Sequence, residues 1–277
     1  MQTDISTKPL QMLDFDLGAN SFLVTTSSPE AQQLFDLGLN WCFGFNQEEG
    51  LACFKRAIEH DPDCAMLYWG AAYAAGPFYN MPWDDFCEEE KTECTAFCYG
   101  MIESALRLSS QASPLEIALI KALSHRVQAP NSVSMATFDS WDDAYADTMR
   151  DVYREYPGNL DVAALFIEAM MTRTPWQMWD VNTKLPPRGA DTLEAIEVCE
   201  TAIAQADRRL VPQHPAILHL HIHLLEMSTT PERAMASANR LAGLCPDAGH
   251  IHHMPGHIYL LCGEYEKACI TSRAAIE

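Results

Sequence analysis

The amino-acid sequence predicts an all-α solenoid of about six helix pairs, and three observations carry that prediction. Two histidine pairs of identical internal spacing, His219/His223 in HPAILHLHIHLLE (214–226) and His253/His257 in AGHIHHMPGHIY (248–259), stand 34 residues apart, the period of a helix–turn–helix repeat. Apolar residues recur at helical spacing through most of the 277 residues, and no segment alternates like a strand. Pro62, Pro157 and Pro246 each close a helical stretch, where a solenoid chain turns back.

Residues 1–30 read as a lead segment, and 31–277 as one superhelical domain. The first repeat is AQQLFDLGLNWCFGFNQEEGLACFKRAIEHDPD (31–63). Its Leu34, Leu37, Gly38, Trp41, Gly50, Phe54, Ala57 and Pro62 fall on the large, small and helix-ending positions of a tetratricopeptide repeat. CAMLYWGAAYAAG (64–76) is the next first helix, and GPFYNMPWDDF opens an ordered insertion over about 76–88. Helical periodicity resumes over 89–108, over 113–127, where Ser113 can cap and Pro114 fits the first turn, and over 140–157. After NLDVAALFIEAMM (159–171) comes a second insertion (172–189), and regular helices follow to Glu277. The last helix carries Cys269, Ile270, Ala274 and Ile276 with no polar capping helix after it, so a truncated chain or a second chain over that edge is expected, with self-association through it.

A net charge of −20 argues against nucleic acid and anionic membrane surfaces as partners and favours cations. No apolar run reaches the length of a membrane span and the first thirty residues lack a signal-like pattern, so an intracellular, cytoplasmic location is expected. The ten cysteines show no Cys-x2-Cys pair and read as buried, reduced thiols, Cys94 and Cys98 included.

Eight of the ten histidines lie between 214 and 257. Counted from repeat starts near 215 and 249, His219 and His253 are both fifth, His223 and His257 both ninth, Glu226 twelfth and His250 second. In tetratricopeptide repeats these positions line the concave groove, so all six side chains are expected to face one hollow. Glu168, ninth in its own first helix, is expected to join them. Burying that many imidazoles without partners costs about 1–3 kcal/mol each, and a metal removes that cost. His221 and His252 read as packing residues, His214 as a helix cap, and Pro255 as a local kink between the second histidine pair. Imidazoles with carboxylates suit copper, iron or zinc, as one ion or two.

The stretches FDLGLNWCFGFNQEEGLACFKRAIEHDPDCAMLYWGAAYAAGPFYN, HP…IHLLEMSTTPERA and DAGHIHHMPGHIYLLCGEYEKA resemble bacterial and fungal tetratricopeptide-repeat proteins with an AGH-x-x-HMP-x-HIY signature, the fungal branch in particular. His250, His253 and His257 match one motif of that group, and His219, His223 and Glu226 the other. Asn46-Gln47 and Gly76-Pro77-Phe78 depart from its Asn-His and Gly-Pro-Asn. The resemblance implies a chain that continues beyond this C-terminus and strengthens the site, without naming a substrate.

The functional expectation is a metalloenzyme, oxidative or hydrolytic, acting on a small molecule in secondary metabolism. His219, His223, His253 and His257 are the leading ligands, Glu226 a ligand or general base, His250 a ligand or its support, and Trp69 and Tyr73 walls of the groove. The rival is a non-catalytic scaffold holding a peptide in the concave surface. A peptide clamp normally offers Lys, Arg and Asn there, and this groove offers histidines, glutamates and aromatics.

Overall fold

A computed structural model of the chain describes residues 14–276. Among them the chain forms twelve α-helices and no strand, with one isolated bridge between Phe78 and Met81. The helices are α1 (Pro29–Phe43), α2 (Gln47–His60), α3 (Ala65–Ala75), α4 (Glu88–Leu108), α5 (Pro114–Leu123), α6 (Met135–Glu155), α7 (Leu160–Thr172), α8 (Thr192–Arg209), α9 (Pro215–Glu226), α10 (Met235–Leu241), α11 (Gly249–Leu261) and α12 (Tyr265–Ala274). Consecutive helices pack on one another, as in an α-solenoid. α9 and α11, which carry the histidine pairs, begin 34 residues apart (249 − 215).

Local chemistry sets several starts. Ser28 accepts from Ala31 N ahead of Pro29 in α1, and Asn159 accepts from Val162 N in α7. Ser113 and Glu116 form the reciprocal capping box of α5. α6 begins at Met135, five residues before the expected 140, because Phe138 joins Trp141, Tyr145 and Met149 on the buried face. The helix pairs close around Phe54, which is fully buried; a Cβ at Gly70 would come within 2.4 Å of its ring and one at Gly38 within 2.9 Å. Only glycine lets the helices approach that closely, and Phe54→Ala is worth about 3–5 kcal/mol.

The odd-numbered helices touch in two runs, α1 with α3 and α3 with α5, then α7 with α9 and α9 with α11. α1 also touches α9, so the superhelix curls until an early turn meets a late one. In a solenoid each repeat ordinarily contacts only its neighbours. α9 stands at this junction and is buried from Pro215 to Leu225, which explains why its sequence is apolar on more than one face.

Of the lead segment, residues 1–13 lie outside the described residues, as does Glu277 at the other end. The remainder straps across the helices. Asp16 N donates to Asp247 Oδ2 at 2.6 Å, Thr25 N to Glu116 Oε1 at 2.6 Å, and Leu17 and Phe22 enter the core. Both insertions are ordered against the helices: Tyr79 and Trp83 of the first are buried, and in the second Trp179 Nε1 donates to Leu224 O at 2.7 Å. All ten cysteines are free thiols. Burial fails for Cys87 and Cys269, which are exposed, and is only partial for Cys262; Cys269 is exposed because α12 is the last helix and nothing among the described residues covers its outer side.

Candidate metal centre

His219 and His223 share the face of α9 turned toward α11, one helical turn apart. His219 Nδ1 lies 2.8 Å from the carbonyl oxygen of Phe43, at the end of α1. A carbonyl only accepts, so that nitrogen carries the hydrogen and Nε2 presents its lone pair. Facing it at 3.0 Å is His250 Nε2, from the first turn of α11. His223 Nδ1 donates to Glu226 Oε1 at 2.8 Å, which leaves His223 Nε2 as a buried lone pair with no hydrogen-bond partner. One ring nitrogen from each of His219, His223 and His250 lies within 4.8 Å of the other two.

Burial lowers the proton affinity of all three rings. It pushes His219 well below the ordinary histidine value, with His223 and His250 adding to the effect, lowers His223, and brings His250 to about 3. Neutral imidazoles are the ligating form. Two nitrogens bound to one tetrahedral ion at ~2.0–2.1 Å sit ~3.3 Å apart. The His219–His250 spacing already matches, and the orphaned His223 Nε2 needs only a small ring movement. The residues therefore fit a three-histidine metal position.

His253 and His257 do not close on the same point. His257 Nδ1 makes a short hydrogen bond with Glu226 Oε2, and its Nε2 stands 2.7 Å from His253 Nε2. The five groove histidines thus divide into a buried trio and an outer pair, with Glu226 between them, one carboxylate oxygen on each. Burial alone would raise the Glu226 pKa, but the hydrogen bonds from His223 and His257 outweigh it and hold it at about 2. Sequence reasoning gave Glu226 as ligand or base; in the structure both its oxygens are engaged in orienting imidazoles.

Three aromatic rings that the sequence reading did not single out wall the trio. Phe45, in the α1–α2 turn, stacks on His223 with centroids 5.5 Å apart and also abuts His219 and His250. Tyr79 from the first insertion and Trp176 from the second face His223 at 5.1 and 6.1 Å. Phe45 and Trp176 both have φ of +59°, a left-handed conformation that costs a bulky residue on the order of 1–3 kcal/mol. The only sequence signal was that aromatics crowd the turn and insertions. A cleft of about 960 Å³ opens beside the outer pair, lined by His253, His257 and Glu226 at one end and by Trp176, Leu260 and Tyr265 among its apolar walls.

The other expected site residues are not among the three histidines that approach one another. Trp69 and Tyr73 are 2% and 4% exposed and stack on each other at 5.2 Å, Trp69 donating to Leu119 O. Glu168 is buried with Tyr73 and Gln47 around a small internal cavity and accepts from Thr172 Oγ1 at 2.8 Å. Burial raises its pKa, opposed by nearby Arg126, itself buried and donating to the last carbonyls of α3, Ala72 and Tyr73. His221 pairs with Ser237 at 2.8 Å and His252 with Pro246 O at 2.8 Å, as packing residues do. His214 stands at the start of α9 but makes no capping bond; its ring turns to Asp161 Oδ1 at 3.2 Å, because it packs edge-on against Phe43. Pro255 is buried within α11, which continues through it from Gly249 to Leu261.

Compared with known proteins, the chain matches no family model and no curated protein.

Proposed function

We propose that this chain is a tetratricopeptide-like metalloprotein whose three-histidine centre serves an enzyme acting on a small molecule. The observation that carries the reading is the locked tautomers: Phe43 O and Glu226 engage the Nδ1 atoms of His219 and His223, so both Nε2 lone pairs point into one buried space beside His250. A borderline ion such as zinc, copper or iron held there supplies either Lewis-acid activation of water or a redox centre, according to its identity. The chain's own contributions are separate. Phe43 O and Glu226 orient the rings, Phe45 and Tyr79 exclude water from them, and the adjoining cleft, of the size that takes a small organic ligand, brings the reactant to the edge of the site. No helix among the described residues is long and apolar enough to cross a membrane.

The test is elemental analysis of protein purified without an affinity tag or added metal, beside the His219→Ala variant. At least one equivalent of a transition metal in the wild type, and one equivalent fewer in the variant, is the expected result. A wild type that neither carries nor takes up such a metal defeats the reading. The scaffold reading draws on one observation, the apolar cleft wall of Leu260, Leu261 and Tyr265. Metal-free protein that binds an amphipathic peptide in that cleft would favour it.

A further inference from the structure

The pair does not share the trio's position. Among the described residues only His219, His223 and His250 form a group whose ring nitrogens all lie within 4.8 Å of one another, and nitrogens on one ion at ~2.0–2.1 Å lie no more than ~4.2 Å from each other. Yet the pair repeats the features that make the trio a metal position. His257 Nδ1 is fastened to a carboxylate oxygen, so the hydrogen sits there and Nε2 offers its lone pair toward His253 Nε2, 2.7 Å away. The two residues are four apart on one uninterrupted helix, so a chelate forms without moving the backbone.

We propose that His253 and His257 form a second metal position, joined to the three-histidine centre through Glu226, so that one chain takes two transition-metal ions. The inference rests on the reading of the trio as the first position. Glu226 supports both: Oε1 fixes a ligand of the inner ion and Oε2 a ligand of the outer one. Two imidazoles with no thiolate or bound carboxylate select a borderline ion, copper(II) above zinc(II), over magnesium or calcium. With two protein ligands against three, and His253 exposed, the outer ion is the weaker and more exchangeable of the two. Its remaining positions open onto the 960 Å³ cleft, where water or a small molecule completes them. The competing account is a plain imidazole–imidazole hydrogen bond, which needs no ion at all.

The experiment is calorimetric titration of the tag-free, metal-stripped full chain with zinc(II) alone and with copper(II) alone, checked by elemental analysis after desalting. Wild type should take up two equivalents, the weaker at least tenfold less tightly bound. His253→Ala should lose the weaker event and keep the tighter, and His219→Ala should lose the tighter. Because His253 is exposed, the metal-free His253→Ala protein should match wild type in circular dichroism and melting temperature. One equivalent in wild type that His253→Ala leaves unchanged overturns the second position alone. One equivalent abolished equally by His253→Ala and His219→Ala overturns it too, since all five rings would then share an ion. No uptake at all fails the trio as well, so the two readings fail distinguishably.

Discussion

The ring of His219 is fixed by a residue 176 positions earlier: Nδ1 donates to the carbonyl of Phe43 at 2.8 Å. That bond exists only because the superhelix curls α1 against α9. It converts the closure of the fold into the tautomer of one imidazole, and it makes the N-terminal helix pair part of a site whose histidines and Glu226 all lie in the C-terminal half.

His219→Ala is therefore predicted to act at two levels. Without metal it orphans the Phe43 carbonyl and leaves a void, at about 1–3 kcal/mol. With free metal a hundredfold above Kd, wild type should gain ~2.7 kcal/mol from binding. The variant should gain nothing from the inner ion. Denaturant melts of both proteins with metal and with chelator measure the difference, and a variant loss that is the same in both conditions would return these histidines to a packing role. The informative double-mutant cycle is His219 with His250, which are 31 apart in sequence and 3.0 Å apart in space.

Glu226→Gln keeps the shape of the side chain and removes the charge. A glutamine cannot accept from both imidazoles, since one of its two ends is a donor. The expected result is a 10–100-fold loss of metal affinity, with the fold intact by circular dichroism. Unchanged affinity would mean that Glu226 does not set the ligand orientation.

How far the site could be read in advance depends on its range in sequence. The histidine positions follow from two short periods, four residues within a helix and 34 between helices, and both survive in the structure as α9 and α11. The same counting placed Glu168 with them and Trp69 and Tyr73 in the groove. In the structure all three are buried, because the insertions and the curl enclose α3 and α7 in the interior. The counting also left open whether the six groups hold one ion or two. The split into trio and pair comes from Glu226 standing between His223 and His257, a side-chain geometry that no spacing encodes. Phe45, Tyr79 and Trp176 come from turns and insertions, whose paths have no period to read.

Asp142 gives a prediction in pH. Burial raises its pKa to about 8, against partial relief from Arg126, and Oδ1 has no hydrogen-bond partner. The folded chain thus holds this proton up to about pH 8 while the unfolded chain releases it near the ordinary aspartate value of 3.8. Between those limits the folded state binds more protons, so stability falls as pH rises, by at most ~1.4 kcal/mol per pH unit. Asp142→Asn, neutral throughout, should flatten that slope and melt higher than wild type at pH 8. A variant that follows the wild-type curve would show that Asp142 is ionised in the fold.

The outer edge supplies the last prediction. Leu260, Tyr265 and Ile270 are 59%, 65% and 62% exposed on α11 and α12, with Leu261 beside them. Single exposed apolar residues are ordinary, but a contiguous group bordering a cleft marks a surface that another molecule covers. The isolated chain is expected to self-associate through this edge, with the sedimentation coefficient rising with concentration. Leu260→Lys combined with Tyr265→Lys should hold the protein monomeric by placing two like charges on the surface where copies would meet. His219, His223 and His250 lie deeper, so this double variant should keep the tighter metal event, which separates loss of association from loss of the fold. A wild type that stays monomeric at high concentration would contradict the prediction and leave the cleft to small molecules alone.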